Sequence, residues 1–268
     1  MPKPKQGKVF LVGTGPGDPE LLTLKAHRLV REAHLILHDD LVAAEILALA
    51  APNARVVNVG KRCGAKRITQ AEINAQMIRA AREGTDVVRL KSGDPAIFGR
   101  LGEELDALSE ARVAFEIVPG ITAGIAAAAA LGMSLTDRRT ASRLLIASAH
   151  HASENPKDAA ALSKQDWSGL TRGDTTLIIY MPGHGVTNLR DELLAAGLAE
   201  ETPAIIVSNA TTRRQRHRHT TLAEIASGTH LESPSVLLIG RALARRKASR
   251  SEELSLLIEQ AESVLAGK

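Results

Sequence analysis

The sequence predicts an α/β protein of two domains, with a mostly parallel sheet in the first and a mixed sheet in the second. Three observations carry that expectation. Short apolar runs alternate with helix-like stretches from Lys8 onward; glycine-rich turns follow the first, fourth and fifth of these runs; and after Gly132 strands recur with few helices between them. Strands separated by helices favour a parallel sheet covered on both faces.

The elements follow in order. Lys8–Gly13 reads as a short buried strand, then comes the turn Gly13-Thr-Gly-Pro-Gly-Asp-Pro19, and an amphipathic stretch covers Glu20–Ala33. Strands are expected at His34–His38, Arg55–Val59, Asp86–Lys91 and Phe115–Val118. Helices are expected near Ala43–Leu49, over Gln70–Glu83, near Leu101–Ser109 and in the Ala-rich segment after Thr122. The polar link Thr136-Asp-Arg-Arg139 marks the passage to a second set of elements. It contains strands at Leu144–Ser148, Thr176–Met181, Ala204–Ser208, near Arg214–Thr220 and at Ser235–Gly240, a loop over His150–Asp174 containing Trp167, and a helix over about Val186–Ala196. This gives a first domain at 1–134, a second at 135–245 and a helical tail at 246–268, where Leu254, Leu257, Ile258, Val264 and Leu265 recur at helical spacing.

Composition narrows the function. The 268 residues are 44% hydrophobic and 24% charged, sufficient for a core and too balanced in charge for disorder. With Cys63 alone, neither an intrachain disulfide nor a cysteine-based zinc site can form. The longest uncharged apolar stretch, Ile121–Leu135, is 15 residues, short of the roughly 20 that span a bilayer. The basic start leads straight into a strand, without a secretory apolar region, so a cytoplasmic location is expected. The net charge of +4 invites a nucleic-acid reading. However, residues 1–8 and 241–250 supply eight of the 34 basic side chains and no acid, leaving 26 against 30 acidic elsewhere. Five aromatics are also a poor supply for a base-stacking platform.

Three turns carry the chemistry. Gly13–Pro19 after a buried first strand lets backbone approach a ligand, as in dinucleotide-binding sheets. Asp39 and Asp40, about 22 residues later, mimic the ribose-binding acid of such folds, yet Pro16 and Pro19 remove amide donors a pyrophosphate would use. A nicotinamide site and a purely structural turn are therefore its two other readings. The second candidate is Arg89-Leu-Lys-Ser92-Gly-Asp-Pro-Ala-Ile97-Phe-Gly-Arg100, a glycine loop at the carboxyl end of the fourth strand; the third is Val118-Pro-Gly-Ile-Thr122-Ala123. In an open parallel sheet all three lie on one edge, the usual ligand crevice. No Gly-Lys-Ser/Thr, Gly-x-Ser-x-Gly or His-Glu-x-x-His segment occurs, which removes P-loop, serine-hydrolase and zincin readings.

Taken in order, Val12–Lys25, His38–Val42, Gly60–Gly64, Thr69–Asn74, Arg89–Pro95, Val118–Thr122, Tyr180–Pro182 and Ser208–Thr212 resemble the tetrapyrrole (precorrin) methylase family over residues 8 to about 243. The Asp-x-Leu-Val and Gly-Lys-Arg segments match the branch acting on uroporphyrinogen III. The resemblance implies transfer of two methyl groups from S-adenosylmethionine, giving precorrin-2 through precorrin-1, in a homodimer with the donor between two α/β domains and without a metal. It implies a donor site at Pro16, Ser92, Gly93, Asp94, Ile97, Thr122, Ala123, Met181 and Ala210. It gives Asp39 as proton acceptor and Lys61 as proton donor, although Lys61 beside Arg62 could equally anchor a substrate carboxylate.

His38, Asp40, Lys66, Ser92 and Ala210 depart from the family's commonest residues, and Asp40 places a second acid in sequence next to Asp39. A methylase of a later precorrin is the rival enzyme reading, and a basic nucleic-acid-binding module the rival of another class. In Arg213–His219, strand alternation would put Arg214, Arg216 and Arg218 on one face, with Arg213, Gln215, His217 and His219 on the other. His150 and His151 read first as loop polarity near the cleft and second as a substrate contact.

Overall fold

The computed structural model describes residues 6–60, 68–149, 167, 173–183, 185–226 and 232–244. The expected tail, the His150-His151 pair, Lys61, Arg62 and Lys66 lie outside the described residues.

The first sheet contains β1 (Val9–Gly13), β2 (Leu35–His38), β3 (Arg55–Asn58), β4 (Val87–Lys91) and β5 (Phe115–Val118). Its order is β3-β2-β4-β1-β5, and every pair is parallel. Such a sheet is covered twice, so its inner strands must be apolar on both faces. Val12, Ile36, Val88 and Leu90 meet α1 (Leu24–Glu32) and α2 (Ala44–Leu47) on one side. Val9, Leu11, Leu37 and Val87 meet α3 (Gln70–Arg82) and α4 (Leu101–Glu110) on the other. The strand order also locates the crevice. From β1 the chain passes over β4 to reach β2, whereas from β4 it passes over β1 to reach β5. The connections part between β1 and β4, and at such a switch point the crest of the sheet opens.

The second sheet is mixed: β6 (Arg143–Ser148), β7 (Thr175–Tyr180), β8 (Pro203–Ser208), β9 (Arg216–Thr221) and β10 (Ser235–Ile239), in the order β6-β7-β10-β8-β9. Only β6 and β7 run parallel within it. One face packs on α6 (Val186–Ala195) and on Trp167, whose indole nitrogen donates to Glu192 Oε2 at 3.0 Å. The other face packs on α5 (Ala123–Ala130), through Ala127 and Ala128 against Ile178, Ile205, Val207 and Leu238. This explains the alanine content of α5. It leaves the crest of the first sheet yet lies on the second, and a Cβ on its Gly124 would come within 2.3 Å of Ile178 Cγ2.

Two expectations need correction. The stretch Glu20–Ala33 is not one helix: a 3-10 turn at Pro19–Leu21, capped by the Asp18 carboxylate, precedes α1, which Thr23 caps separately. The basic strand begins at Arg216, so Arg213 and Arg214 belong to the preceding turn. Within β9 the alternation holds, and the His217 and His219 rings meet edge to face at 5.4 Å between centroids. As an edge strand carrying exposed Arg and His, β9 resists pairing with other chains. Among the described residues no helix is long and apolar enough to cross a membrane, and no three His, Cys, Asp or Glu side chains are grouped as metal ligands.

Candidate active site

At the crest the three turns interlock by backbone. Gly15 and Gly93 exchange N–H to carbonyl bonds of 3.1 and 2.7 Å, and the Thr14 N–H and hydroxyl both donate to the Lys91 carbonyl. Contact this close requires missing side chains. A Cβ on Gly13 would lie 2.7 Å from both Gly120 N and Gly93 O, and one on Gly120 would lie 2.3 Å from Gly93 O. Asp94 clasps the arrangement: Oδ1 accepts from Ala96 N at 2.8 Å and Oδ2 from Gly120 N at 3.0 Å. Pro16, Ser92, Gly93, Asp94, Ile97, Thr122 and Ala123 are thereby gathered along the turns that follow β1, β4 and β5.

The second sheet brings its own turns to this crest. The Tyr180 hydroxyl accepts from Gly124 N at 2.8 Å and shares a 2.5 Å hydrogen bond with the Thr122 hydroxyl. Burial holds the phenol protonated above its ordinary range, with the Asp94 charge acting in the same direction. Phe98 packs on the Tyr180 ring at 5.2 Å, and Thr211 Oγ1 accepts from Asp18 N at 3.3 Å. Met181 follows Tyr180 and stays 48% exposed. Ala210 differs: its side chain is buried among Val207, Leu238 and Leu243, so only its backbone faces the turn at Gly17. Among the described residues six non-glycine positions have left-handed backbone, and five of them, Phe98, Arg100, Met181, Asn209 and Thr211, lie in the turns after β4, β7 and β8. Such conformations cost energy and concentrate where a site fixes them.

Asp39 and Asp40 are neighbours in the chain whose side chains take different partners. Asn58 donates to Asp40 Oδ1 at 2.9 Å, and Asp40 packs against Gly60, which leads it towards the end of β3. Asp39 instead accepts from Arg89 Nη2 at 2.5 Å, with its side chain one-third exposed at the crest. Behind it Arg89 Nε donates to Glu104 Oε1 at 3.0 Å, and Lys91 Nζ lies 2.9 Å from Glu104 Oε2. Sequence reasoning missed Glu104 altogether and gave Tyr180, Arg89 and Lys91 no role. Two cations in the middle strand of a covered sheet were the available signal.

A parallel sheet whose glycine turns abut the turns of a mixed sheet, with helices packed on both, defines an α/β protein of two sheets joined at their turns. The chain belongs to the Tetrapyrrole (Corrin/Porphyrin) Methylases, whose family model matches residues 8–226. It is 45% identical over 237 residues to the uroporphyrinogen-III C-methyltransferase of Pseudomonas aeruginosa, covering 87% of this chain and 93% of that protein. Among solved structures it resembles the uroporphyrin-III C-methyltransferase of Thermus thermophilus complexed with S-adenosylhomocysteine, at 37% identity and TM-score 0.73, covering 88% of this chain and 98% of the other. A cobalt precorrin-4 methyltransferase matches with TM-score 0.75 at 28% identity, over 88% of this chain and 95% of its own.

Proposed function

We propose that this protein transfers two methyl groups from S-adenosylmethionine to ring carbons of uroporphyrinogen III, giving precorrin-2 by way of precorrin-1 and releasing S-adenosylhomocysteine. The observation that carries the reading is the seam itself: three interlocked glycine turns tied to the end of β7 through the Tyr180 hydroxyl, in a chain 45% identical to a uroporphyrinogen-III C-methyltransferase over 87% of its length. The later-precorrin reading has less support, since its structural match is 28% identical against 37% for the uroporphyrin-III enzyme.

The residues fit the methyl donor. Gly15, Gly17 and Gly93 hold positive φ angles that side chains rarely adopt, and the thioether of Met181 is soft, neutral and half exposed, suited to an adenine or a sulfonium. Pro16, Ser92, Gly93, Asp94, Ile97, Thr122, Ala123, Met181 and Ala210 would hold it, Asp94 by fixing the turns and Ala210 through its backbone. The bound donor supplies an already activated methyl group, so the protein's task is alignment with an electron-rich ring carbon, and no metal is needed. The attacked ring gains positive charge and must lose a proton. Asp39 lies near enough to the surface to stabilise that charge and take the proton. Lys61 donates a proton or anchors one of the substrate's carboxylates, roles that Lys61→Met separates as a loss of kcat or a rise in KM.

Residues 1–134 and 135–245 act as the two bodies of the site, within a homodimer in the cytoplasm. The test is incubation with S-adenosylmethionine and enzymatically generated uroporphyrinogen III, following the chromophore of the oxidised dimethyl product. Product formation is expected. Its absence, with S-adenosylhomocysteine still bound by folded protein, overturns the substrate assignment. Asp39→Ala should cut turnover by about 100-fold or more while changing S-adenosylhomocysteine affinity little.

A further inference from the structure

Arg89 is the largest side chain in the fully buried set, at 2% exposure, and Glu104 is wholly buried. Burying charge in the middle of a covered sheet is costly, and apolar side chains of similar volume would serve stability as well. The placement of these charges therefore asks for another reason. Arg89 is no anchor for a polycarboxylate, because it is buried and each of its nitrogens is already engaged: Nε with Glu104, Nη1 with the Leu90 carbonyl at 3.1 Å and Nη2 with Asp39. It links a wholly buried acid to the partly exposed one at the crest.

We propose that Arg89 is a positioning residue for the proton-accepting Asp39, and that Glu104 with Lys91 fixes Arg89 in turn. The inference rests on the reading of Asp39 given above. The charges alternate along the line Asp39, Arg89, Glu104, Lys91: Arg89 is held by hydrogen bonds to both acids, and Lys91 adds an ion-pair contact to Glu104 Oε2, which accepts no hydrogen bond. Glu104 sits in the first turn of α4, where the helix dipole favours a carboxylate. That turn is tied to α3, since Asn74 Nδ2 donates to the Glu103 carbonyl at 3.1 Å. Lys91 runs beneath the β4–α4 turn, its Cε 3.1 Å from where a Cβ on Gly99 would be. The orientation of Asp39 is thus referred to two helices and to the turn carrying Phe98 and Arg100, rather than left to one side-chain rotamer.

The test compares Glu104→Gln, Arg89→Lys, Asp39→Asn and the double variant Asp39→Asn/Arg89→Lys. Kinetics on uroporphyrinogen III are normalised to the folded fraction, and S-adenosylhomocysteine affinity is measured calorimetrically. Glutamine keeps the shape and removes the charge that aligns the guanidinium; lysine keeps the charge but cannot serve three acceptors. Melting temperatures should fall in both, since a buried pair is broken. At a temperature where they remain folded, kcat should drop roughly tenfold in Glu104→Gln and about 100-fold in Arg89→Lys, the cost of a misplacement near 1 Å, with KM and donor-product affinity within about twofold. The double variant should be no slower than Asp39→Asn alone, because the two residues act through one step.

Wild-type kcat in Asp39→Asn would overturn the role of Asp39 itself. An impaired Asp39→Asn beside normal Glu104→Gln and Arg89→Lys, or losses that multiply in the double variant, would overturn the positioning role and leave Asp39 standing. If Arg89→Lys fails to fold, the isosteric Glu104→Gln carries the test alone. In that variant, loss of S-adenosylhomocysteine affinity in step with kcat would mean a merely structural network.

Discussion

Tyr180 is the residue on which the two sheets meet. Its ring packs on Phe98 from the β4–α4 turn, and its hydroxyl serves Gly124 N and Thr122 at the start of α5. Tyr180→Phe keeps the ring and strips the hydroxyl, leaving an amide at the helix start without its acceptor. Stability should fall by about 1–3 kcal/mol. S-adenosylhomocysteine should bind about tenfold more weakly, equivalent to about 1.4 kcal/mol, because Thr122 and Ala123 lose their tether. Calorimetric titration and urea unfolding check the two effects, and unchanged affinity would confine Tyr180 to structure. In the sequence this tyrosine was only part of a recognisable segment. Its partner lies 56 residues away, across a connection no periodicity reveals. The same holds for Asp39 and Arg89, which are 50 residues apart. Asp39 could be singled out from the family pattern, but its partner depended on β2 and β4 being neighbours.

At the scale of elements, the inner strands were legible because a sheet covered on both faces demands apolar runs, and the run Lys8–Gly13 contains β1, whose Val9, Leu11 and Val12 are wholly buried. Helix starts were less so. Pro19 and the Asp18 cap close a separate turn before α1, a local bond that the apolar spacing of Glu20–Ala33 conceals. The glycine turns were recognisable as a group, but their mutual contact was not. Gly120→Ala should be damaging out of proportion to one methyl group, since the new Cβ would meet Gly93 O at 2.3 Å. A stability loss of about 1–3 kcal/mol and loss of S-adenosylhomocysteine binding are expected, read by thermal unfolding and calorimetry.

A second element-scale prediction concerns β5, whose Glu116 accepts from both Lys8 and Lys25 and so ties the strand to the chain start and to α1. Those hydrogen bonds lower its carboxyl from 4.5 to about 2. A depressed carboxyl stabilises the fold fully above its unfolded value and loses that contribution as pH falls through its folded one. Glu116→Gln should therefore cost up to about 1 kcal/mol at pH 7. Chemical denaturation repeated at descending pH should show the gap to wild type closing between about 4.5 and about 2.

At the scale of the whole molecule, α5 prevents the two sheets from being independent. It begins at the crest of the first and is packed on the second, with Gly124 against Ile178. Nature has placed one reporter on each side of that joint: the single Trp167 in the core behind the second sheet, and the single Tyr180 at the seam. Urea unfolding followed by tryptophan fluorescence and by tyrosine absorbance should give coincident transitions. Separate midpoints would show that the second core survives the opening of the seam. Neutral glycines and hydroxyls do the holding at this joint.

The backbone contacts among Gly13, Gly15, Gly93 and Gly120 also bear on how this scaffold can be re-engineered. Turns that touch without intervening side chains cannot be exchanged singly, since each has the shape of the space the other two leave. A chimaera that replaces these turns must import residues 13–18, 92–95 and 119–122 from one relative as a set. By contrast, the exposed strand β9 at the far edge of the second sheet can be rewritten residue by residue.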